Sequence, residues 1–169
     1  RRQRQMCIRD SRREDHPMGF DQRLPAHSPS CMGCGSDNPS GLQLEVYRHD
    51  DHVYADLTFD ERQSGAPGLA HGGAISAACD DIMGFTLWIA RTPAVTRTLT
   101  VEYRHPVPLH TPVHLVATVV DNTARALSIK AVGTVGKKAY FTANAVFVKV
   151  DLSHFQNHGD PDAATDLIT

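Results

Sequence analysis

Two adjacent carboxylates, Asp80 and Asp81, interrupt the longest near-apolar stretch of the chain, residues 74–90. Aspartate is seldom buried without a partner or a task. A carboxylate held in such surroundings is a candidate general base or nucleophile. The bland alternative is a structural carboxylate in a packing contact. Neighbouring helical residues point about 100° apart, so Asp80 and Asp81 serve different surroundings, and periodicity alone does not choose between them. Nine residues before Asp80 stands His71-Gly72-Gly73, at the end of a glycine-rich loop. The first N–H groups of a helix have no partner within it and carry the positive end of its dipole. Glycines there allow close approach, so Gly72 and Gly73 suit the trapping of a developing oxyanion. An ordinary loop ahead of a helix looks the same. His71 suits holding that loop or lining a pocket by hydrogen bonding.

The four cysteines are Cys7, Cys31, Cys34 and Cys79. Cys79 lies in the apolar stretch and reads as a small core residue. Cys31 and Cys34 form C-x-x-C and invite a zinc reading, with His49 and His52 completing four ligands. Those histidines flank a short turn at an unusual spacing, and no second C-x-x-C follows. The pair also lacks the helix-starting context of a redox site. The expectation is a tight turn before the first strand, with no metal. Nothing suggests a secreted disulfide framework.

Several elements must position these groups. Residues 41–47 alternate, with Leu42, Leu44 and Val46 on one side, and residues 53–59 alternate again; with the turn between them they predict a hairpin. Residues 63–73 form a loop that enters a helix over 74–91. On that helix Ala74, Ile75, Ala78, Ile82, Phe85 and Ile89 share a broad apolar face, and Ser76, Asp80, Gly84 and Arg91 a narrow polar stripe. A helix so apolar is buried nearly all round, so the stripe is expected to meet another subunit or a ligand. Strands follow over 96–105, 112–121, 126–134 and 138–150, read as a meander with tight connections at 121–125 and 136–137. One buried helix can serve six strands only if the sheet curls around it, an α+β plan.

Bulk properties narrow the function. The 169 residues suit one domain. No apolar run reaches the roughly 18 residues of a membrane helix, and no signal peptide is visible, so a cytoplasmic protein without membrane partners is expected. Residues 1–11, RRQRQMCIRDS, resemble the translation of a sequencing adapter. Without them Lys+Arg falls from 17 to 13 and Asp+Glu from 19 to 18, and the net charge moves from −2 to −5. A mildly acidic remainder argues against nucleic acid as a partner. The expected organisation is an irregular N-terminal arm over 1–30, one domain over 31–151 and a frayed polar tail over 152–169.

The run Gly65-Ala66-Pro67-Gly68-Leu69-Ala70-His71-Gly72-Gly73-Ala74-Ile75, with Asp80 and Gly84 beyond it, resembles the hotdog-fold acyl-CoA thioesterases. The likeness is to the phenylacetate-degradation type and its mammalian relatives in the 4-hydroxybenzoyl-CoA thioesterase superfamily. Residues 96–109, TRTLTVEYRHPVPL, are similar to the strand that follows the helix in that family. The segments 31–35, CMGCG, and 38–42, NPSGL, also recur there. The resemblance covers residues 31–150. It implies a hotdog fold, an antiparallel sheet wrapped around one long central helix, assembled as homodimers or homotetramers with active sites at the interface. It implies an acyl-CoA substrate and no cofactor or metal. It selects Asp80 as the catalytic carboxylate and places Gly72, His71 and Thr96 beside it. Gly73, Arg104 and Arg125 match substrate-binding positions, the arginines suiting the phosphates of coenzyme A. One departure stands out: some relatives carry asparagine six residues before the histidine, where this chain has Gly65, with Gln63 or Ser64 as substitutes.

The leading expectation is therefore hydrolysis of acyl-CoA thioesters. The alternatives are a non-catalytic acyl-CoA-binding sensor, against which the retained Asp80 argues, and a dehydratase, whose Asp/His arrangement is not found. Phe85, Leu87 and Trp88 either line an acyl pocket or fill core.

Overall fold

The computed structural model describes residues 21–159. They form one seven-stranded antiparallel sheet, in the order β1-β2-β3-β5-β6-β7-β4, with a helix against it. The strands are β1 (Gln22–Arg23), β2 (Tyr47–His49), β3 (His52–Thr58), β4 (Ala94–Tyr103), β5 (Pro112–Asn122), β6 (Ala126–Val135) and β7 (Lys138–Lys149). Helix α1 (Gly72–Ala90) runs for 19 residues and packs on every strand from β3 to β7. A short helix α2 (Leu152–His158) follows the sheet.

The expected strands over residues 96–150 all form, within two residues of their expected ends. Their pairing differs from a simple meander. β5, β6 and β7 follow one another, but β4 pairs with β7 at the edge, and β5 pairs with β3. The reason is the helix: α1 carries the chain across the sheet, so β4 starts at the opposite edge from β3. The first strand is also shorter than the alternation of 41–47 implied. Gln43 adopts a left-handed φ of 51°, and Leu42 and Leu44 donate instead to the carbonyls of Met32 and Gly33. Leu44 and Val46 are nevertheless buried, as the alternation required.

The core is built by period-two burial on the sheet against the broad face of α1. Val113, Leu115 and Ala117 on β5, Leu127, Ile129 and Ala131 on β6, and Phe141, Ala143, Ala145 and Phe147 on β7 all point to it. Ala117, Ala131 and Ala143 are direct cross-strand partners, flanked by Val53 and Val101. This row of small side chains lets the helix approach closely, and Ile75, Ala78, Cys79, Ile82, Met83, Phe85 and Thr86 fill the contact. Gly133 faces Phe141, and a Cβ there would fall 2.1 Å from the ring. The aromatic ring occupies the space that the missing side chain leaves.

Both flanks of the expected domain carry structure. β1 pairs with β2 within the segment read as an irregular arm, and residues 152–158, read as frayed tail, form α2. Seven residues are too few to display a helical period against polar neighbours, and Phe155 is its half-buried anchor. Residues 1–11 lie outside the described residues, as does most of the arm. Among the described residues no helix is long and apolar enough to cross a membrane.

Because Ile82 is fully buried between helix and sheet, Ile82→Ala should lower the unfolding free energy by about 2–5 kcal/mol. Gly133→Ala should cost about 1–3 kcal/mol through overpacking against Phe141. Urea unfolding checks both: the midpoints should fall while the slopes stay unchanged.

Candidate active site

The polar stripe of α1 meets its own chain before it meets anything else. Ser76 Oγ lies 2.7 Å from Tyr103 Oη, and Thr96 Oγ1 donates to Asp80 Oδ1 at 2.8 Å. Gly84 faces the ring of His27, with 3.2 Å between a notional Cβ and the ring carbon. The stripe was expected to meet another subunit or a ligand; within the chain it also has these partners, and Asp80 still lines a cleft. Strand β4 and residues around His27 cover it, and only Arg91, the left-handed C-cap, stays exposed.

Thr96 reaches Asp80 through an irregularity in β4. The register against β7 shifts between Thr96 and Thr98, which places an extra residue, Arg97, in the strand. Such a bulge reverses which face later residues present. Ala94 is buried, and beyond the bulge Leu99 and Val101 are half-buried. Thr96 thus shares the helix-facing side with Ala94. Asp80 and Thr96 line a cleft of about 670 Å³, with Leu87, Trp88, Phe147 and Phe155 among its apolar walls. Leu87 and Trp88 therefore line a cavity, whereas Phe85 is core. Phe155 was not anticipated, since the helix that carries it was not.

The start of α1 opens on a second cleft, of about 780 Å³, lined by Ser64, Gly65, His71, Gly72, Gly73, Tyr103 and Arg104 among others. His71 is the N-cap residue, and its Nδ1 accepts the Gly73 N–H at 2.8 Å. This ring nitrogen is therefore unprotonated in that contact, and Gly73 N–H is not an open donor. A Cβ on Gly73 would lie 2.9 Å from His71 Nδ1, so the position needs glycine for the cap to close. Gly72 N–H has no hydrogen-bond partner among the described residues, and its carbonyl accepts from Tyr103 Oη at 2.9 Å. Of the two candidate oxyanion donors, Gly72 is the open one. Tyr103 escaped notice in the sequence because its strand position signals only a face of the sheet.

Other expected groups fare differently. Gln63 Oε1 accepts the Asp60 N–H in a capping box of a single 3₁₀ turn (Glu61–Gln63), so its carbonyl is occupied, while Ser64 lines the cleft. A Cβ on Gly65 would meet His71 Cα at 2.8 Å, which explains glycine where some relatives have asparagine. Arg104 lines the second cleft but is paired with Glu102 at 2.8 Å. Arg125 is exposed in the β5–β6 turn and lines neither cleft. Burial, helped by the Asp80 charge, pushes the Cys79 thiol up to about 12, which makes it inert as a nucleophile. Gly72 and Asp80 are eight residues apart on one helix, a separation of about 12 Å. Within one chain the two halves of the expected site therefore sit on different clefts.

Asp81, the rival carboxylate, has a different setting. Its Oδ1 lies 3.2 Å from His27 Nδ1 and 3.4 Å from Cys31 Sγ. His49, by contrast, pairs with Asp21, away from the cysteines. Burial works against charge on His27, but its contacts with Asp81, Cys31 and Cys34 outweigh burial and push it up to about 11.

Sheet, helix and site together define a hotdog-type domain with a carboxylate on the helix and an open helix N-terminus. Residues 67–134 match the family model of the thioesterase superfamily, and the resemblance read from the sequence is thereby confirmed. The chain is similar to an acyl-coenzyme A thioesterase of Mus musculus, THEM4. The identity is 33% over 89 residues, which are 52% of this chain and 38% of that protein. The chain thus spans well under half the length of that curated relative. Thioesterase HI1161 of Haemophilus influenzae superposes with a TM-score of 0.62 at 17% identity, over 70% of this chain and 85% of that one. A thioesterase protein of Streptococcus pneumoniae, solved with coenzyme A, superposes at 0.60 with 18% identity, over 63% and 85% of the two chains. At such identities these structures establish the fold.

His71→Ala removes the cap acceptor and should destabilise the protein by about 0.5–2 kcal/mol, with His71→Asn recovering most of it. Chemical denaturation of the three proteins side by side checks this.

Proposed function

We propose that the protein hydrolyses acyl-CoA thioesters, with Asp80 as the catalytic carboxylate. The observation that carries this reading is the hydrogen bond from Thr96 Oγ1 to Asp80 Oδ1 at 2.8 Å, beside a cleft with apolar walls. Thr96 fixes one carboxylate oxygen and leaves the other for chemistry. As general base, Asp80 takes a proton from water, the hydroxyl oxygen adds to the thioester carbon, and the carbonyl becomes an oxyanion. Gly72 N–H, at the positive end of α1, stabilises that charge. Collapse breaks the C–S bond, and the departing thiolate takes the proton from Asp80. Attack by Asp80 itself is the covalent variant.

The separation of Gly72 from Asp80 supports a shared site. We place Asp80 and Thr96 of one subunit opposite His71, Gly72 and Gly73 of a second, in a homodimer or a pair of homodimers. The ten-residue β4 lies at the open edge of the sheet, with Thr96, Arg97, Thr98, Thr100, Glu102 and Tyr103 exposed. An edge that long favours pairing with another chain. In this arrangement the sheets wrap α1 as the central helix of the hotdog unit, residues 31–151, and the flanks at β1 and α2 close the acyl cleft. Gly73 shapes the site by permitting the His71 cap. Arg104 must exchange Glu102 for a phosphate of coenzyme A, and Arg125 offers a second cation at the rim. The coenzyme A bound by the pneumococcal neighbour agrees with this ligand class. A cytoplasmic setting fits the free thiols Cys31, Cys34 and Cys79.

Free coenzyme A released from an acyl-CoA panel tests the chemistry. Asp80→Asn should retain the fold and acyl-CoA binding and lose kcat by about 10²–10⁴-fold. Binding without turnover by the unaltered chain would instead identify a sensor. Shared sites are tested by co-refolding Asp80→Asn with Gly72→Val, each inactive alone. If each site draws on two chains, each mixed dimer keeps one intact site, and an equal, randomly paired mixture should recover about a quarter of the parent activity; it should recover none if each site lies within one chain.

A further inference from the structure

We propose that His27, Cys31, Cys34 and Asp81 form a structural zinc site that clamps the N-terminal segment onto α1. One ligand atom from each lies within 4.8 Å of every other. Three of the separations are short: 3.2 Å from His27 Nδ1 to Asp81 Oδ1, 3.4 Å from Cys31 Sγ to Asp81 Oδ1 and 3.3 Å from Cys34 Sγ to His27 Nδ1. Tetrahedral zinc with ordinary Zn–S, Zn–N and Zn–O bonds sets ligand atoms roughly 3.3–3.8 Å apart. The four groups are thus already near the spacing that the ion imposes.

An independent observation points to a cation. Asp81 Oδ2 is buried, on a side chain only 9% exposed, and has no hydrogen-bond partner among the described residues. An uncompensated carboxylate oxygen in such a place is costly, and a dication among the four groups compensates it. The surroundings are shaped for this carboxylate: a Cβ on Gly33 would fall 2.1 Å from Asp81 Cγ, and one on Gly35 would fall 2.4 Å from Cys31 N. Both glycines of the CMGCG segment therefore admit a tight knuckle, closed by Gly35 N–H donating to Cys31 O at 3.0 Å. Cys34 Sγ accepts the backbone N–H of His27 at 3.3 Å, the kind of outer contact that supports a metal-bound thiolate. Two thiolates with an imidazole select zinc over harder cations. Four protein ligands leave no open position, so the ion is structural.

The clamp has a consequence for the neighbouring cleft. Gln22, Leu24 and His27 line the same cleft as Asp80, and the ion would tie His27 to the residue next to Asp80. The zinc site is independent of the thioesterase reading, because metal content is read without substrate.

The experiment uses the full chain, reduced and stripped with a chelator, then titrated with Co²⁺ and back-titrated with Zn²⁺. One Co²⁺ per chain should bind, with a thiolate-to-cobalt charge-transfer band and tetrahedral visible bands, and Zn²⁺ should bleach both. Surface histidines cannot give the thiolate band. Cys34→Ser should weaken binding by more than about 100-fold, and Asp81→Asn by about 10–100-fold. Cys7→Ser, which removes none of the four proposed ligands, should bind as the parent does. Circular dichroism shows whether each variant is folded, and the stoichiometry of the unaltered chain needs no variant. The proposal is overturned if the reduced chain takes up no cobalt, if Cys34→Ser leaves both the affinity and the intensity of the thiolate band at the parent's values, or if Cys31 and Cys34 only interconvert with a disulfide.

Discussion

The burial of α1 against the alanine row of the sheet is the constraint on which the rest depends. Ala117, Ala131 and Ala143 let the helix sit close, and a helix with so many apolar residues has no stable alternative to that seat. Once it is seated, its rotation is fixed by Ile75, Ala78, Ile82 and Phe85. Every polar residue on it is then delivered to a determined place. The crossing of the helix also explains why β4 returns to the edge beside β7.

Adjacent carboxylates on one helix consequently have separate fates. Asp80 meets a threonine and an apolar cleft, whereas Asp81 meets an imidazole and two thiols. A one-residue step of about 100° divides a position suited to chemistry from a position suited to holding the chain together. The bulge at Arg97 and the tight approach at Gly33 are the backbone devices that make each setting possible.

The helix N-terminus obeys a similar economy of donors. His71 satisfies the Gly73 N–H, Tyr103 binds the Gly72 carbonyl and also meets Ser76, and Gly72 N–H is left facing a cleft. A loop that spends one donor on its own cap keeps its shape, while the other donor stays open to a ligand. The two clefts sit at different points along α1.

The sequence by itself determined the strands over 96–150, the helix, the burial of Cys79 and, through the run ending in His71-Gly72-Gly73, the resemblance to the thioesterase superfamily. Those features are written in period-two and period-3.6 burial or in contiguous motifs, which need no knowledge of distant residues. It did not determine that β4 pairs with β7, since alternation is silent about partners. It did not reveal that Gly73 is occupied, that Phe155 joins the cleft, or that His27 and Asp81 stand with Cys31 and Cys34. His49 and His52 were the plausible companions by proximity in sequence, but His27 and Asp81 are brought in by β1, the CMGCG knuckle and the rotation of α1. Contacts between residues 50 apart follow from how elements pack, and only the tertiary structure decides that.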